Sequence, residues 1–192
     1  MEPVVLRTER LVLDQPTEAD APRIAEYCRD PLFERWLTTP WPYEPRHAEG
    51  FVATVVPLGW TTGTEATWAV RTHDDGPLIG VISYRTLRCD VGFWLGADQR
   101  GKGYMREALA AVVQWAFVSG DVPRTDAVTW EAMAGNRDSA AVARAVGFAF
   151  TGTAPSSHPV RDGSHVPSWH GVLLRSHDGE QARASWPEET RL

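Results

Sequence analysis

The residues of this sequence whose types and spacing best suit chemistry form a short basic turn, Arg100-Gly101-Lys102-Gly103. An apolar, strand-like segment at residues 91–95 precedes the turn, and apolar residues recur at helical spacing from Tyr104 onward. The first turn of a helix has backbone N–H groups without internal partners and a partial positive charge, and glycine lets a ligand approach the backbone closely. The pattern therefore predicts a site for a phosphate or pyrophosphate.

A nucleotide is one ligand that such a turn could hold. Residues 96–102 satisfy the G-x-x-x-x-G-K pattern of nucleotide-binding P-loops. The next residue of that pattern is Ser or Thr, which holds magnesium, whereas this chain has Gly103 there. Asp98 would also place a negative charge beside a triphosphate. These two departures make the nucleotide the weaker interpretation.

The other interpretation rests on a resemblance to a known family. Residues 100–109 resemble the pyrophosphate-binding segment of the GNAT superfamily of N-acetyltransferases, with Arg100, Gly103 and Met105 at its fixed positions. Met105 replaces the usual small residue. Because it faces the packed side of the predicted helix, we expect it to change packing more than phosphate contact.

Three further segments resemble the same superfamily. Asn136 and Ser139, followed by Gly147-Phe148, resemble its N-x-x-S…G-F segment, and residues 90–94 resemble the strand before its pyrophosphate loop. Residues 6–13 resemble the opening strand of the RimJ/RimL branch, the ribosomal-protein N-terminal acetyltransferases. The resemblance extends over nearly the whole chain.

The resemblance implies an enzyme that moves the acetyl group of acetyl-CoA directly to a primary amine on a protein N-terminus, a peptide or a small molecule. A thioester is already activated, so no covalent enzyme intermediate is needed, and neither Cys28 nor Cys89 has a histidine nearby in the sequence. The alternative is a non-catalytic acyl-CoA sensor on the same fold. Thr151 keeps it open, because RimJ/RimL relatives commonly have a glutamate at that position.

The resemblance also assigns roles to residues. Contacts with CoA are implied for Phe93, Trp94, Leu95, Arg100, Gly101, Lys102, Gly103, Tyr104, Met105 and Asn136. Ser139 would donate to the departing thiolate, although a polar residue in the first helical turn is an equal interpretation. Asp90 would act as general base through water, or be a solvated carboxylate at a strand end. We also predict that Trp36, Trp41 and Trp169 line the acceptor pocket.

The elements that must position these residues follow from the hydrophobic pattern. Strands are predicted at residues 6–13, 67–70, 78–84, 89–95, 125–130, 148–153 and 169–174. Helices are predicted from about Thr17 to the Asp30-Pro31 pair and at residues 45–56, 104–117 and 136–146, with a loop-rich segment at residues 32–43. This order predicts an α/β (α+β) domain with a mixed, largely antiparallel sheet flanked by helices, which is also the GNAT fold. The domain is expected over residues 1–175, followed by a polar tail, mobile or on the surface, at 176–192.

Composition narrows the function classes. The chain has 192 residues, 43% hydrophobic and 23% charged, with a formal net charge of −6. This balance argues against nucleic-acid binding, which requires a basic face. The two cysteines argue against a disulfide scaffold, and their spacing does not suggest a metal site. No apolar run approaches the ~20 residues of a membrane helix. We therefore expect a cytoplasmic protein, and the resemblance allows a homodimer.

Overall fold

The computed structural model describes residues 1–176, 182 and 184–191. Within these residues, eight strands form one sheet in the order β1-β2-β3-β4-β5-β6-β8-β7. The strands are β1 Leu6–Arg7, β2 Val12–Asp14, β3 Glu65–Arg71, β4 Gly80–Arg85, β5 Asp90–Leu95, β6 Ala127–Met133, β7 Ala149–Pro155 and β8 Pro167–Leu174. The α-helices are α1 Ala21–Tyr27, α2 Pro31–Trp36, α3 Pro45–Gly50, α4 Val56–Thr62, α5 Tyr104–Val118 and α6 Arg137–Val146. The predicted fold class is confirmed.

Helices cover both faces of the sheet, and each face has its own apolar core. On one face, α5 buries the side of its helical repeat that includes Met105, Leu109 and Val112. On the other face, a smaller cluster centres on Ile24 of α1 and Phe33 of α2. The sheet therefore separates two compartments, and a site that uses both must lie where the sheet opens.

The sheet opens between β5 and β6. All the other neighbouring strands are antiparallel, but β5 and β6 run parallel and pair only through Asp90 with Thr129 and Val91 with Trp130. Beyond Val91, β5 continues to pair with β4 on its other side as far as Leu95. The two strands thus diverge after two residues and leave a wedge whose apex lies at the Val91–Trp130 pair.

The structure corrects three predictions. Residues 6–13 form two short antiparallel strands, because Thr8 N–H bonds to Leu11 C=O and turns the chain between them. The segment predicted as loop-rich begins with helix α2, in which Asp30 caps the N–H of Leu32 at 2.9 Å. In the predicted tail, residues 184–191 are not simply a mobile or surface extension, and the prediction for residues 177–181, 183 and 192 lies outside the described residues. Trp186 is 2% exposed, and its ring packs 5.5 Å from that of Trp130.

In the part of the chain that the structure describes, the helices are too short or too polar to span a bilayer.

Candidate active site

A cavity of about 540 Å³ occupies the wedge between β5 and β6. Its walls come from the diverging halves of these strands, the turn before α5, one side of α6, the loop between β7 and β8, and residues 31–39, here called the α2 segment. The predicted site residues at its lining are Asp90, Phe93, Trp94, Leu95, Arg100, Gly101, Gly103, Tyr104, Met105, Asn136, Ser139 and Trp36. One cavity thus brings together most of the residues that the sequence singled out.

Free backbone groups of β5 point into this cavity. Hydrogen-bonded residues alternate along an antiparallel pair, and Gly96 N–H donates to Ile79 C=O at 2.9 Å. The backbone groups of Trp94 therefore face β4, whereas those of Phe93 and Leu95 face the wedge, where β6 has moved away. The Leu95 carbonyl accepts a bond from Arg100 Nε at 3.2 Å. Among the residues that the structure describes, this leaves the N–H of Phe93 as the first unpaired donor beyond the apex.

The basic turn has the geometry of an anion receptor. Gly101 and Gly103 have φ angles of 75° and 79°, which favour glycine. Gly103 is the N-cap of α5 and has no side chain to cap the helix. Among the described residues, the backbone N–H groups of residues 101–106 have no hydrogen-bond acceptor. Several donors therefore converge at the positive end of a 15-residue helix.

Ion pairs hold the two cations that flank this turn. Arg100 lies 2.7 Å from Asp30, and so links the turn to the start of α2. Arg10, a residue that the sequence analysis did not single out, donates to Lys102 C=O at 3.1 Å and pairs with Glu107 at 2.7 Å. Burial alone would raise the pKa of Glu107, but hydrogen bonds from neighbouring groups, including Arg10, outweigh burial and lower it. Lys102 itself is exposed and bonds to a neighbouring side-chain amide.

Asn136 and Ser139 lie at the start of α6, on the opposite wall. The Asn136 side chain caps the helix by accepting from Ser139 N–H at 3.2 Å, which leaves its amide N–H groups available to the cavity. The indole N–H of Trp130 donates to Ser139 Oγ at 3.1 Å. Because this bond uses an acceptor position of the hydroxyl, the hydroxyl hydrogen remains free to be donated into the cavity.

Asp90 is buried at the inner end of the cavity and is held by an arginine. Its two oxygens accept from Arg85 Nε and Nη2 at 2.8 and 2.9 Å, and Arg88 lies 3.9 Å away. Burial alone would lower the pKa of Arg85, but the hydrogen bonds that it donates to Asp90 outweigh burial and raise it. A carboxylate bound on both oxygens by a guanidinium is poorly placed to accept a proton.

Glu131 is a second carboxylate at the apex, and the sequence analysis missed it. It is the first residue of β6 beyond the last β5–β6 pair, and it lines the cavity on the same sheet face as Asp90. Its oxygens share the N–H of Ser157 at 3.0 and 3.1 Å, and His170 lies 3.9 Å away. A signal was present, since Glu131 is the only acidic residue of its strand.

The three predicted acceptor-pocket tryptophans have different positions. Trp36 is half-buried, lines the cavity and packs near Gly135. Trp41 is half-buried but does not reach the cavity lining. Trp169, in contrast to the prediction, lies outside the cavity lining. Because side chains alternate along β8, Trp169 points into the core on the α5 side, 4% exposed, while its neighbour His170 points to the Glu131 face.

Comparisons with known proteins identify a family and several similar structures. A family model described as "Acetyltransferase (GNAT) domain" matches residues 10–149. A ribosomal-protein-S5-alanine acetyltransferase from Vibrio fischeri is 21% identical, with a TM-score of 0.72 over 90% of this chain and 97% of its own. RimL, a ribosomal L7/L12 α-N-protein acetyltransferase solved with coenzyme A, is 17% identical, with a TM-score of 0.75 over 91% of this chain and 100% of its own.

A third similar structure is the microcin C7 self-immunity acetyltransferase MccE, solved with acetyl-CoA and AMP. It is 17% identical, with a TM-score of 0.73 over 87% of this chain and 93% of its own. No curated protein matches the chain by sequence. At such identities, the structural similarity shows a shared fold.

Proposed function

Because the chain belongs to the GNAT family of acetyltransferases, we propose that it transfers the acetyl group of acetyl-CoA directly to a primary amine. The observation that carries the proposal is the wedge between β5 and β6, which joins a receptor for a diphosphate to an apex with a free N–H donor and a carboxylate. Acetyl-CoA, when bound, supplies a thioester that an amine can attack without a covalent enzyme intermediate.

The residues present fit acetyl-CoA. The unpaired N–H groups of residues 101–106 offer the donors that a diphosphate requires, and a side chain at Gly101 or Gly103 would need a strained backbone. The exposed ammonium of Lys102 and the held guanidinium of Arg100 add positive charge. The wedge then leads from the turn to the apex along the unpaired edge of β5.

Two groups would stabilise charge as the acyl group moves. The N–H of Phe93 points into the wedge just beyond the apex, where a carbonyl oxygen that gains negative charge could be bound. Fixed backbone donors of this kind are often the largest single contribution to catalysis. Ser139, oriented by the indole N–H of Trp130, would donate its hydroxyl hydrogen to the departing thiolate.

Glu131 would accept the proton that the amine loses. It faces the cavity with one backbone N–H as its bonded partner among the described residues, whereas Arg85 binds both oxygens of Asp90. We therefore assign proton acceptance to Glu131, directly or through water. Asp90 lies in the site, as predicted, but we assign it the role of anchoring Arg85 instead of the role of general base.

An α-amino group on a peptide or small molecule is the acceptor class we propose, as in the RimJ/RimL branch. Two similar structures are named as acetyltransferases of ribosomal proteins, and the name of one of them specifies α-N-protein acetylation. An α-amine has a pKa of about 8, so roughly a tenth is already neutral near pH 7. A single modest base such as Glu131 is sufficient for such an acceptor.

The first experiment measures thiol release from acetyl-CoA with a panel of peptides and small primary amines. We expect turnover with at least one α-amine and acetyl-CoA binding in calorimetry without magnesium. Acetyl-CoA binding without turnover on any amine would favour the non-catalytic sensor, and magnesium-dependent ATP binding would favour the P-loop interpretation.

Charge reversal at the turn tests where the diphosphate binds. Lys102→Glu adds a carboxylate beside the free N–H groups without changing a glycine, so we expect acetyl-CoA affinity to fall at least about tenfold. Gly103→Glu, which fills the turn directly, should abolish binding. Gly120→Glu is the matched control, since a side chain there meets open space. Unchanged affinity in a folded Lys102→Glu protein would remove the diphosphate from this turn.

A further inference from the structure

An arginine joins the two elements that form the outer walls of the acceptor half of the cavity. Arg161 lies in the loop between β7 and β8, residues 156–166. Within the described part of the chain, its guanidinium bonds only to backbone carbonyls of the α2 segment. Its Nε donates to Thr39 at 2.7 Å, its Nη1 to Glu34 at 2.6 Å, and its Nη2 to Phe33 at 3.0 Å and Leu37 at 2.7 Å. Glu34 lies in the last turn of α2, where carbonyls lack helical partners, and Leu37 and Thr39 follow the helix. The Phe33 carbonyl also accepts from Leu37 N–H at 3.0 Å.

Both elements that Arg161 joins contribute to the cavity lining. The lining residues are Leu32, Phe33, Trp36, Leu37 and Thr38 on the α2 side and His158 and Val160 on the loop side. At its base, the same loop bonds to Glu131 through the N–H of Ser157. The loop is also bonded internally, with Val160 N–H donating to Ser164 C=O at 2.8 Å. Arg161 therefore fixes the distance between two walls and connects them to the proposed proton acceptor.

We propose that Arg161 determines acceptor specificity, by holding these walls at a separation that admits a primary amine on a slender, apolar stem. The inference rests on the proposed function. The full cavity of about 540 Å³ is the size of one small-ligand site and must serve both substrates, so little width remains for the acceptor. The space between the two walls is lined largely by the apolar side chains of Leu37, Trp36 and Val160, and Glu131 lies at its inner end.

The test compares Arg161→Ala with the wild type on pairs of isomeric primary amines, one unbranched and one branched beside the amine. We expect the preference for the unbranched isomer to fall about tenfold, which is the order of discrimination that a pocket exerts on one methylene. The KM for acetyl-CoA should stay unchanged, because Arg161 contacts nothing in the turn before α5. Arg161→Lys should be intermediate, since an ammonium cannot reach four carbonyls at once. Arg124→Ala, at an exposed arginine away from the cavity lining, is the control.

Hydrogen exchange tests the bridge independently of activity. In Arg161→Ala, we expect peptides covering residues 31–39 and 156–166 both to exchange faster, and neither to change in Arg124→Ala. Faster exchange confined to 156–166 would overturn the proposal whatever the enzyme does, as would an equal loss of kcat/KM on every acceptor. If the wild type showed no turnover but both peptides exchanged faster in Arg161→Ala, the proposed function would be contradicted. Arg161 would then join the two walls without determining acceptor specificity.

Discussion

Replacing Glu131 by glutamine should separate proton acceptance from structure. The two Glu131 oxygens share a single N–H, that of Ser157, which a glutamine oxygen can still accept. We therefore expect the free energy of unfolding to change by less than about 0.5 kcal/mol. The loss of a positioned general base lowers kcat by about 10²- to 10⁴-fold. For an α-amine of pKa about 8, the deficit should shrink between about pH 7 and pH 9, because the substrate itself becomes neutral.

Asp90→Asn is the matched comparison, and it should show the opposite balance. The asparagine breaks a two-point ion pair whose bonds to Arg85 measure 2.8 and 2.9 Å, and leaves a half-buried guanidinium without its countercharge. A charged group that loses its partner in this way costs about 1–3 kcal/mol. In a protein of this size each kcal/mol corresponds to a fall in Tm of roughly 2–4 °C.

The assays are thiol release across the pH range and thermal unfolding followed by circular dichroism. We expect a large fall in kcat with little change in Tm for Glu131→Gln. For Asp90→Asn we expect a lower Tm and a smaller effect on kcat at matched folded fraction. If Glu131→Gln kept full kcat while folded Asp90→Asn lost it, Asp90 would be the base. The bidentate ion pair with Arg85 would then not prevent Asp90 from accepting a proton.

Three further substitutions have defined outcomes. Trp130→Phe keeps a ring in the core but removes the N–H that orients Ser139, so kcat should fall nearly as far as in Ser139→Ala while acetyl-CoA affinity in calorimetry stays unchanged. Burial alone would raise the pKa of Asp20, but bonds from Arg71 and from a threonine lower it. Stability that this carboxylate contributes above about pH 4 is therefore lost as pH falls through the lowered pKa, and urea unfolding should show a flatter acid limb in Asp20→Asn. Trp186→Ala should lower the unfolding free energy by about 3–5 kcal/mol in the same assay.

A specific result would contradict each of these three predictions. A Trp130→Phe enzyme with wild-type kcat would show that the indole bond does not orient the hydroxyl of Ser139. An Asp20→Asn profile parallel to the wild type would mean that this carboxylate is not responsible for the acid limb. A Trp186→Ala protein as stable as the wild type would show that the buried Trp186 ring does not stabilise the core.

The turn before α5 could be predicted because its signals are local. The signals lie within a few positions of one another: glycines at residues 101 and 103, a basic neighbour and the start of a helical repeat. The pairing of Arg100 with Asp30, and the contact of Arg10 with Lys102, could not be predicted in this way. These contacts join residues far apart in the chain, and only the packing of α1, α2 and β2 around the sheet brings them to the turn.

The acceptor side was harder to predict because strand register decides it. The sequence shows Trp169 next to His170 and Trp130 next to Glu131, but it does not state which member of each pair faces the core. The structure pairs Glu131 with His170 across β6 and β8, and places both on the face opposite Trp130. The prediction for Trp169 followed its aromatic character and ignored the alternation along the strand.

The same register limits where the reaction could occur. Pairing between β5 and β6 ends at Val91 and Trp130, so the free N–H of Phe93 and the carboxylate of Glu131 are the first groups beyond the apex on their respective strands. A slip of β6 by one residue would exchange the sheet faces of Glu131 and Trp130, and so would send Glu131 into the apolar core. Such a slip would also take the indole N–H away from Ser139. The buried Trp130, which Trp186 covers, therefore favours the register that the proposed chemistry requires.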